Sequence, residues 1–212
     1  MSKIVEIINF LEAENLLNNC SKYWWPSYGR FEVLIGAILT QNTTWQNVQK
    51  SIKNLQDYLE FDRFLLLDVE LLKEKIRPSG FYNQKAPRLL QLTKNVKKDF
   101  ITFENFKDKV SRKWLLSQKG VGEETADSIL CYCCGKDQLV IDTYTKRVLK
   151  QFNIEFKNYI DYKSYLENNI KNNWNILSTK YENNLNLCYA QFHGMTVEYN
   201  KVNKKKEKKC LI

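Results

Sequence analysis

The chain has 212 residues, of which 43% are hydrophobic and 13% aromatic, enough to bury a core in one domain or two small lobes. Its 33 lysines and arginines against 24 acidic residues give a formal net charge of +9, which favours a polyanionic partner. The sequence contains no run of about twenty apolar residues and no signal-peptide pattern, so we expect a cytoplasmic protein that makes no membrane contact.

Apolar residues recur every three to four positions along most of the chain, which has only three prolines and seven glycines. This period predicts an all-α protein. In chain order, the predicted helices cover residues 4–11, 31–39, 45–55, 62–77, 86–96 and 103–110, a pair around a turn at 120–122, and then 144–149, 162–170 and 177–196.

The most informative segment is the turn Gly120-Val121-Gly122, which lies between two of these helical patterns. Glycines allow a backbone to approach a ligand closely, and the amide groups and positive dipole end of the following helix attract anions. Such a turn can equally be an ordinary helix connection. An aspartate, Asp142, follows Gly122 by twenty residues, and this combination is more specific than the turn alone.

The turn and the aspartate together resemble the helix-hairpin-helix DNA glycosylases of the endonuclease III superfamily. The resemblance implies a two-lobed fold with a six-helix barrel over residues 30–138 that contains the hairpin at 115–134. Residues 1–29 and 139–212 would form a discontinuous second helical lobe that ends in a basic tail at 203–212. Asp142 would then lie at the boundary between the lobes, beside the hairpin.

Asp142 precedes Thr143-Tyr144-Thr145 and is expected to be a helix N-cap, where the helix dipole lowers the pKa of its carboxyl group. It could be a cap and nothing more. The resemblance makes Asp142 the catalytic residue, an anion that stabilises positive charge on the sugar as the N-glycosidic bond breaks. The only histidine, His193, is interpreted as structural.

Bifunctional relatives place a nucleophilic lysine two residues after the last hairpin glycine, and that position is Glu124 here. A carboxylate cannot form the Schiff base that leads to strand cleavage, so the resemblance implies a monofunctional enzyme that uses water. Lys119, which precedes the turn, is predicted to contact DNA phosphate together with Gly120, Val121 and Gly122.

An enzyme that acts on a base inside a duplex has to extrude it, and side chains then fill the gap. Gln41 matches the loop glutamine that enters the vacated stack in the family. The segment containing Phe81 and Lys85 resembles the opposite DNA-binding loop, with Phe81 as an apolar wedge. The alternatives are a polar loop at the end of a helix for Gln41 and a core-packed ring for Phe81.

Trp24, Trp25 and Pro26, together with Trp45, resemble the base pocket of the 3-methyladenine DNA glycosylase branch, in which phenylalanine is common at the position of Trp45. The alternative for three neighbouring tryptophans is core packing. An alkylated purine carries positive charge, and stacking on an aromatic face gains a cation–π contribution of about 0.5 to 2 kcal/mol over a neutral base. Its glycosidic bond is already weakened, which suits a chain with a single histidine.

Cofactor binding is predicted to be limited. Cys131 and Cys134 form a C-x-x-C that could serve zinc or redox chemistry, but core packing is favoured for them. Only Cys188 and Cys210 lie near the C-terminus, so no iron–sulfur cluster of the family type is expected. The resemblance also implies a monovalent cation at the main-chain carbonyls of the hairpin residues Leu116, Gln118 and Val121.

The sequence thus predicts a monomeric, monofunctional glycosylase that removes alkylated purines, chiefly 3-methyladenine, from double-stranded DNA. The alternatives are an endonuclease III-like pyrimidine or thymine glycosylase and a hairpin module that binds DNA without catalysis.

Overall fold

The computed structural model describes the backbone of residues 2–210 and the side chains of residues 2–204. Within that range the chain is helical, without a strand, and its one isolated bridge joins Ser21 and Trp24. The prediction of an all-α fold is confirmed. None of the described helices is long and apolar enough to cross a membrane.

The chain divides into two compact units. We call residues 1–26 and 136–212 the terminal unit and residues 27–135 the central unit. The helices in chain order are α1 Lys3–Ala13, α2 Phe31–Leu39, α3 Trp45–Asn54, α4 Phe61–Phe64, α5 Val69–Ile76, α6 Tyr82–Phe100, α7 Phe103–Lys109, α8 Arg112–Leu116, α9 Glu123–Ser128, α10 Thr143–Gln151, α11 Tyr159–Asn172, α12 Trp174–Leu177 and α13 Leu185–Cys210. Helix α9 continues as a wider π-helical turn over Ile129–Cys133.

Aromatic residues form much of the core of the central unit. Phe31, at the start of α2, contacts the rings of Phe61, Phe64 and Phe103 edge-on, with centroid distances between 5.4 and 5.5 Å. Helix α2 is buried along nearly its whole length, as its nearly uninterrupted apolar sequence predicts. It forms the central helix of this unit.

The predicted single helix at 62–77 is wrong, because the structure has two helices, α4 and α5, over this stretch. Asp68 separates them: its carboxylate accepts hydrogen bonds from the amides of Glu70 at 2.8 Å and Leu71 at 2.9 Å. An aspartate that bonds nearby amides in this way favours a helix start over a helix interior.

The terminal unit has its own apolar core, in which α1 packs against α11 and α13. Ile4, Ile8 and Leu11 of α1 are fully buried, as are Leu166 of α11 and Phe192 of α13. These positions recur at the spacing of one helix face, which is why the amphipathic pattern of the first residues predicts α1 correctly.

Helix α13 begins at Leu185, eight residues later than predicted. Glu182 and Asn183 adopt left-handed backbone conformations, with φ of 54° and 55°, and these interrupt the helical path after α12. The predicted basic tail at 203–212 lies mostly outside the described side chains.

Candidate active site

Asp142 is the N-cap of α10, as the sequence predicts. Its Oδ1 accepts a hydrogen bond from the amide of Thr145 at 2.7 Å, and its Oδ2 lies 3.3 Å from Nε2 of His193 on α13. The side chain retains 13% of its exposure, so the carboxylate is largely buried but still accessible. Asp142 therefore caps α10, and it also contacts His193, a partner that helix capping alone does not require.

Two opposing effects act on the pKa of Asp142. Burial removes water from the carboxylate and on its own raises the pKa. The charge interaction and hydrogen bond with His193, followed by the hydrogen bonds with Thr145, outweigh it and lower the pKa below the ordinary value of 3.8. The carboxylate therefore stays ionised in a mostly dry position.

His193 is the site residue that the sequence interpretation missed. Its side chain is 4% exposed, on a helix whose surrounding residues are mostly buried and apolar. In the sequence it lies among apolar residues, which favours a structural role. Its contact with Asp142 joins residues 51 positions apart on different helices, a separation that helical periodicity does not report. The one available signal is that this histidine is the only one in the chain.

Trp24 lies in the same unit and contacts the ring of His193. Its ring centroid is 5.2 Å from that of His193, at an interplanar angle of 82°. The indole Nε1 donates a hydrogen bond to Oε1 of Glu198 at 3.0 Å, and Nζ of Lys201 lies 5.9 Å from the ring centroid. Trp24 is half-buried and has a left-handed backbone with φ of 64°, in a tight turn that its amide closes by bonding Ser21 O at 2.7 Å.

The other predicted pocket residues are placed differently. Trp25 is 8% exposed and packs edge-on against Trp24 with centroids 6.1 Å apart, so it supports the Trp24 ring and offers no open face for stacking. Pro26 is exposed at the end of this turn. Trp45 is half-buried at the start of α3, in the central unit.

The hairpin has the expected local form in the central unit. Gly120 has φ of 84°, a conformation that favours glycine. Gly122 is the N-cap of α9, and no side chain forms a capping hydrogen bond at this helix start. The carbonyl of Gln118 accepts the amide of Val121 at 3.1 Å, so one of its two lone pairs remains for a cation. The monovalent cation at Leu116, Gln118 and Val121 stays a prediction that this geometry fits.

Gln41 lies against the hairpin. Its Nε2 donates to the carbonyl of Gly120 at 2.9 Å and to Oγ1 of Thr125 at 3.0 Å. The structure thus brings the predicted gap-filling glutamine to the predicted phosphate-binding turn.

Phe81 is 58% exposed at the N-cap of α6 with φ of 46°, so the alternative of a core-packed ring is wrong. Lys119 is exposed, as phosphate contact requires. Lys85, in contrast, is 2% exposed, and its Nζ donates to the carbonyls of Leu39 and Ser79 at 2.8 Å each.

The predicted DNA contact of Lys85 is therefore wrong, because its ammonium group is buried and donates to main-chain carbonyls. Burial also lowers the pKa of this amine to about 8. Lys85 connects the ends of neighbouring segments of the central unit and stabilises the fold.

The five cysteines whose side chains the structure describes show no arrangement typical of a metal centre. Cys131 and Cys133 are buried, and burial raises the pKa of Cys188 to about 12, which disfavours the thiolate that a metal needs. Among the described side chains, no three His, Cys, Asp or Glu residues are grouped to bind a metal ion. Absence of an iron–sulfur cluster stays a prediction.

Comparison with known proteins gives a consistent assignment. The sequence model described as "HhH-GPD superfamily base excision DNA repair protein" matches residues 35–175. A provisionally named DNA repair glycosylase of Methanocaldococcus jannaschii is 40% identical over 196 residues, which cover 88% of this chain and 84% of that protein. Endonuclease III of Thermotoga maritima is 32% identical over 121 residues, covering 56% of this chain and 54% of that enzyme.

Solved structures agree. The H. pylori 3-methyladenine DNA glycosylase MagIII, crystallised with 1,N6-ethenoadenine, superposes with a TM-score of 0.91 at 42% identity, over 95% of this chain and 99% of that one. An endonuclease III–DNA complex superposes with a TM-score of 0.64 at 19% identity, over 93% of this chain and 85% of that one, and supports the fold alone.

Close packing of Gly194 against Trp24 gives a first testable prediction. A Cβ at position 194 would lie 2.4 Å from Cγ of Trp24, so we expect Gly194→Ala to lower the free energy of unfolding through overpacking, at a gross cost of about 1 to 3 kcal/mol. This loss should exceed the gain of about 1 kcal/mol that alanine brings to a helix interior. Urea denaturation measures the difference.

The matched control is the same substitution in a Trp24→Ala background, where the ring is gone and helix propensity alone acts. There Gly194→Ala should be neutral or stabilising. Stabilisation by Gly194→Ala in the otherwise unchanged protein would show that the ring does not pack as described.

Proposed function

The chain belongs to the HhH-GPD superfamily of base excision DNA repair proteins, and we propose that it is a monofunctional DNA glycosylase for alkylated purines, chiefly 3-methyladenine. The family assignment confirms the resemblance seen in the sequence and places the chain among DNA glycosylases. The proposal adds the substrate class, double-stranded DNA with an alkylated base as the partner, a monomeric state and a cytoplasmic location.

The observation that carries the proposal is the largely buried carboxylate of Asp142. Departure of the base leaves positive charge on the sugar, and a fixed anion next to that charge stabilises the transition state. A contribution of roughly 4 to 5 kcal/mol corresponds to about three orders of magnitude in rate. Asp142 can also orient the attacking water, because its oxygens have further lone pairs beyond those used by Thr145 and His193.

Trp24 supports the choice of an electron-poor base. Its half-buried ring lies in the same unit as Asp142, and its orientation is fixed by the hydrogen bond from its indole N–H to Glu198. A cationic alkylated purine gains both stacking and cation–π energy on such a face. The similar protein from H. pylori, 42% identical to this chain, is a 3-methyladenine DNA glycosylase that was crystallised with 1,N6-ethenoadenine, and this likeness favours the same substrate class.

The central unit supports DNA binding. The amides at the start of α9, next to the exposed Gly120 and Lys119, are suited to a backbone phosphate. Gln41 beside the hairpin and the exposed Phe81 are suited to enter the gap left by an extruded base. Glu124, exposed in the first turn of α9, stands where bifunctional relatives have lysine, and so favours attack by water.

Release of bases from methylated duplex DNA tests this function. We expect the protein to liberate 3-methyladenine faster than neutral bases, and Asp142→Asn to reduce the single-turnover rate by about a thousandfold. Asparagine is also a good N-cap, so the variant should fold and bind DNA like the parent protein. The measurement is chromatography of the released bases over time, with duplexes containing 1,N6-ethenoadenine and oxidised pyrimidines as further probes.

The other candidate functions give different results in the same assay. Strand nicking and an adduct trapped by borohydride would identify a bifunctional, endonuclease III-like enzyme. DNA binding without release of any base would identify a non-catalytic module. Either outcome contradicts the proposal.

Two lysines separate DNA contact from fold stability. We expect Lys119→Met to reduce the slope of log K against log salt for duplex binding by about one, because one phosphate contact is lost. Lys85→Met should leave that slope unchanged and lower the free energy of unfolding by roughly 1 to 3 kcal/mol, because two buried carbonyls lose their donor. Fluorescence titration at several salt concentrations measures the slope, and a reduced slope for Lys85→Met would overturn its assignment to the interior.

A further inference from the structure

Side-chain contacts connect the start of α10 to the middle of α13. The carboxylate of Asp142 lies 3.3 Å from Nε2 of His193, and the hydroxyls of Thr145 and Thr196 are 3.1 Å apart. The hydroxyl of Thr196 donates in turn to the carbonyl of His193 at 2.7 Å. His193 is therefore fixed at its backbone as well as at its ring.

The same imidazole ring contacts Trp24, whose centroid lies 5.2 Å away in an edge-on arrangement. The neighbouring residue, Gly194, has no side chain and admits the Trp24 ring against α13. One side chain thus touches both the carboxylate proposed to act on the sugar and the ring proposed to stack on the base.

We propose that His193 is a positioning residue that sets the orientation of the Asp142 carboxylate relative to the Trp24 ring. This inference rests on the proposed function, because it assigns a role within that reaction. His193 is 4% exposed, and its ring lies against two other side chains, so it acts through them and not on the substrate.

Geometry explains why both partners are needed. The amide of Thr145 binds one oxygen of Asp142, and with that contact alone the second oxygen could rotate about the bond that carries the carboxylate. Nε2 of His193 lies 3.3 Å from this second oxygen and restricts its rotation. A carboxylate bonded at one oxygen and restrained by a neighbouring ring at the other is pre-organised for a charge that forms in a single place.

Charged groups on the adjoining helices do not duplicate this role. On α13, Glu198 pairs with Lys201 at 2.7 Å and also accepts the Trp24 indole N–H. On α10, Lys146 lies over the ring of Tyr162 at 5.3 Å. The side chain that lowers the pKa of Asp142 most is that of His193, and the other groups that do so are the amide and hydroxyl of Thr145.

Single-turnover release of 3-methyladenine at several pH values tests the role. We expect His193→Ala to reduce the rate about ten- to hundredfold, as for loss of a polar contact to a charged group. Since loss of His193 removes the largest effect that opposes burial, the pKa of Asp142 rises. Activity should therefore disappear at a higher pH on acidification than in the parent protein.

Two further variants distinguish positioning from stability. His193→Gln retains an N–H donor but loses the electrostatic interaction of the imidazole with Asp142, and should recover part of the rate while keeping the shifted acid limb of the pH–rate profile. Met195→Ala, in the apolar core on the same helix, is the control for general destabilisation and should leave the acid limb in place. Thermal melts of all variants identify any that do not fold.

Because the chain has one histidine, its imidazole signals in an NMR spectrum need no assignment. The Hε1 shift at neutral pH should change in Asp142→Asn and remain constant in Asp62→Asn, an exposed aspartate in the central unit. This readout does not depend on catalysis, so it tests the contact even in an inactive protein.

The outcomes separate the two proposals. An active parent protein whose rate and acid limb are unchanged in His193→Ala overturns the positioning role alone. An unchanged imidazole signal in Asp142→Asn also overturns it. A parent protein that releases no base from any probe overturns the proposed function and, with it, this role for His193.

Discussion

The proposed chemistry depends on keeping a carboxylate charged in a position with little water. Burial of Asp142 favours its neutral form, and a neutral acid could not stabilise a cationic sugar. The amide of Thr145 at the start of α10 and the imidazole of His193 on α13 together reverse that effect. Both partners come from the terminal unit, so the ionised state of Asp142 follows from the packing of α10 against α13.

The same packing places an aromatic ring next to this anion. Trp24 adopts a left-handed backbone, fits against Gly194 and donates its indole N–H to Glu198, so three separate features select one position for the ring. The left-handed backbone of Trp24 is strained. In return, its ring is held rigidly and offers a fixed face for an extruded base. The central unit contributes another function, a glycine turn with Gln41 beside it and exposed groups suited to DNA.

Local signals explain what could be predicted from the sequence. The glycine turn, the cap at Asp142 and the helical period each act over a few residues, and the structure shows all three. The errors about the site residues have non-local causes. Lys85 looks like a surface cation until Leu39 and Ser79 enclose it, and nothing in its own segment reports this. The role inferred for His193 depends on its contact with Asp142, which is distant in the sequence. Trp25 is buried by residues that pack against it in the folded chain.

The pKa of the Asp142 carboxyl group tests the central claim most directly. It can be followed by the pH dependence of the carboxyl carbon signal in carbon-13 NMR, and identified as the signal that disappears in Asp142→Asn. We predict titration below the ordinary value of 3.8. Titration above that value would mean that burial prevails over His193 and the helix start, and would contradict the proposed role of an ionised Asp142.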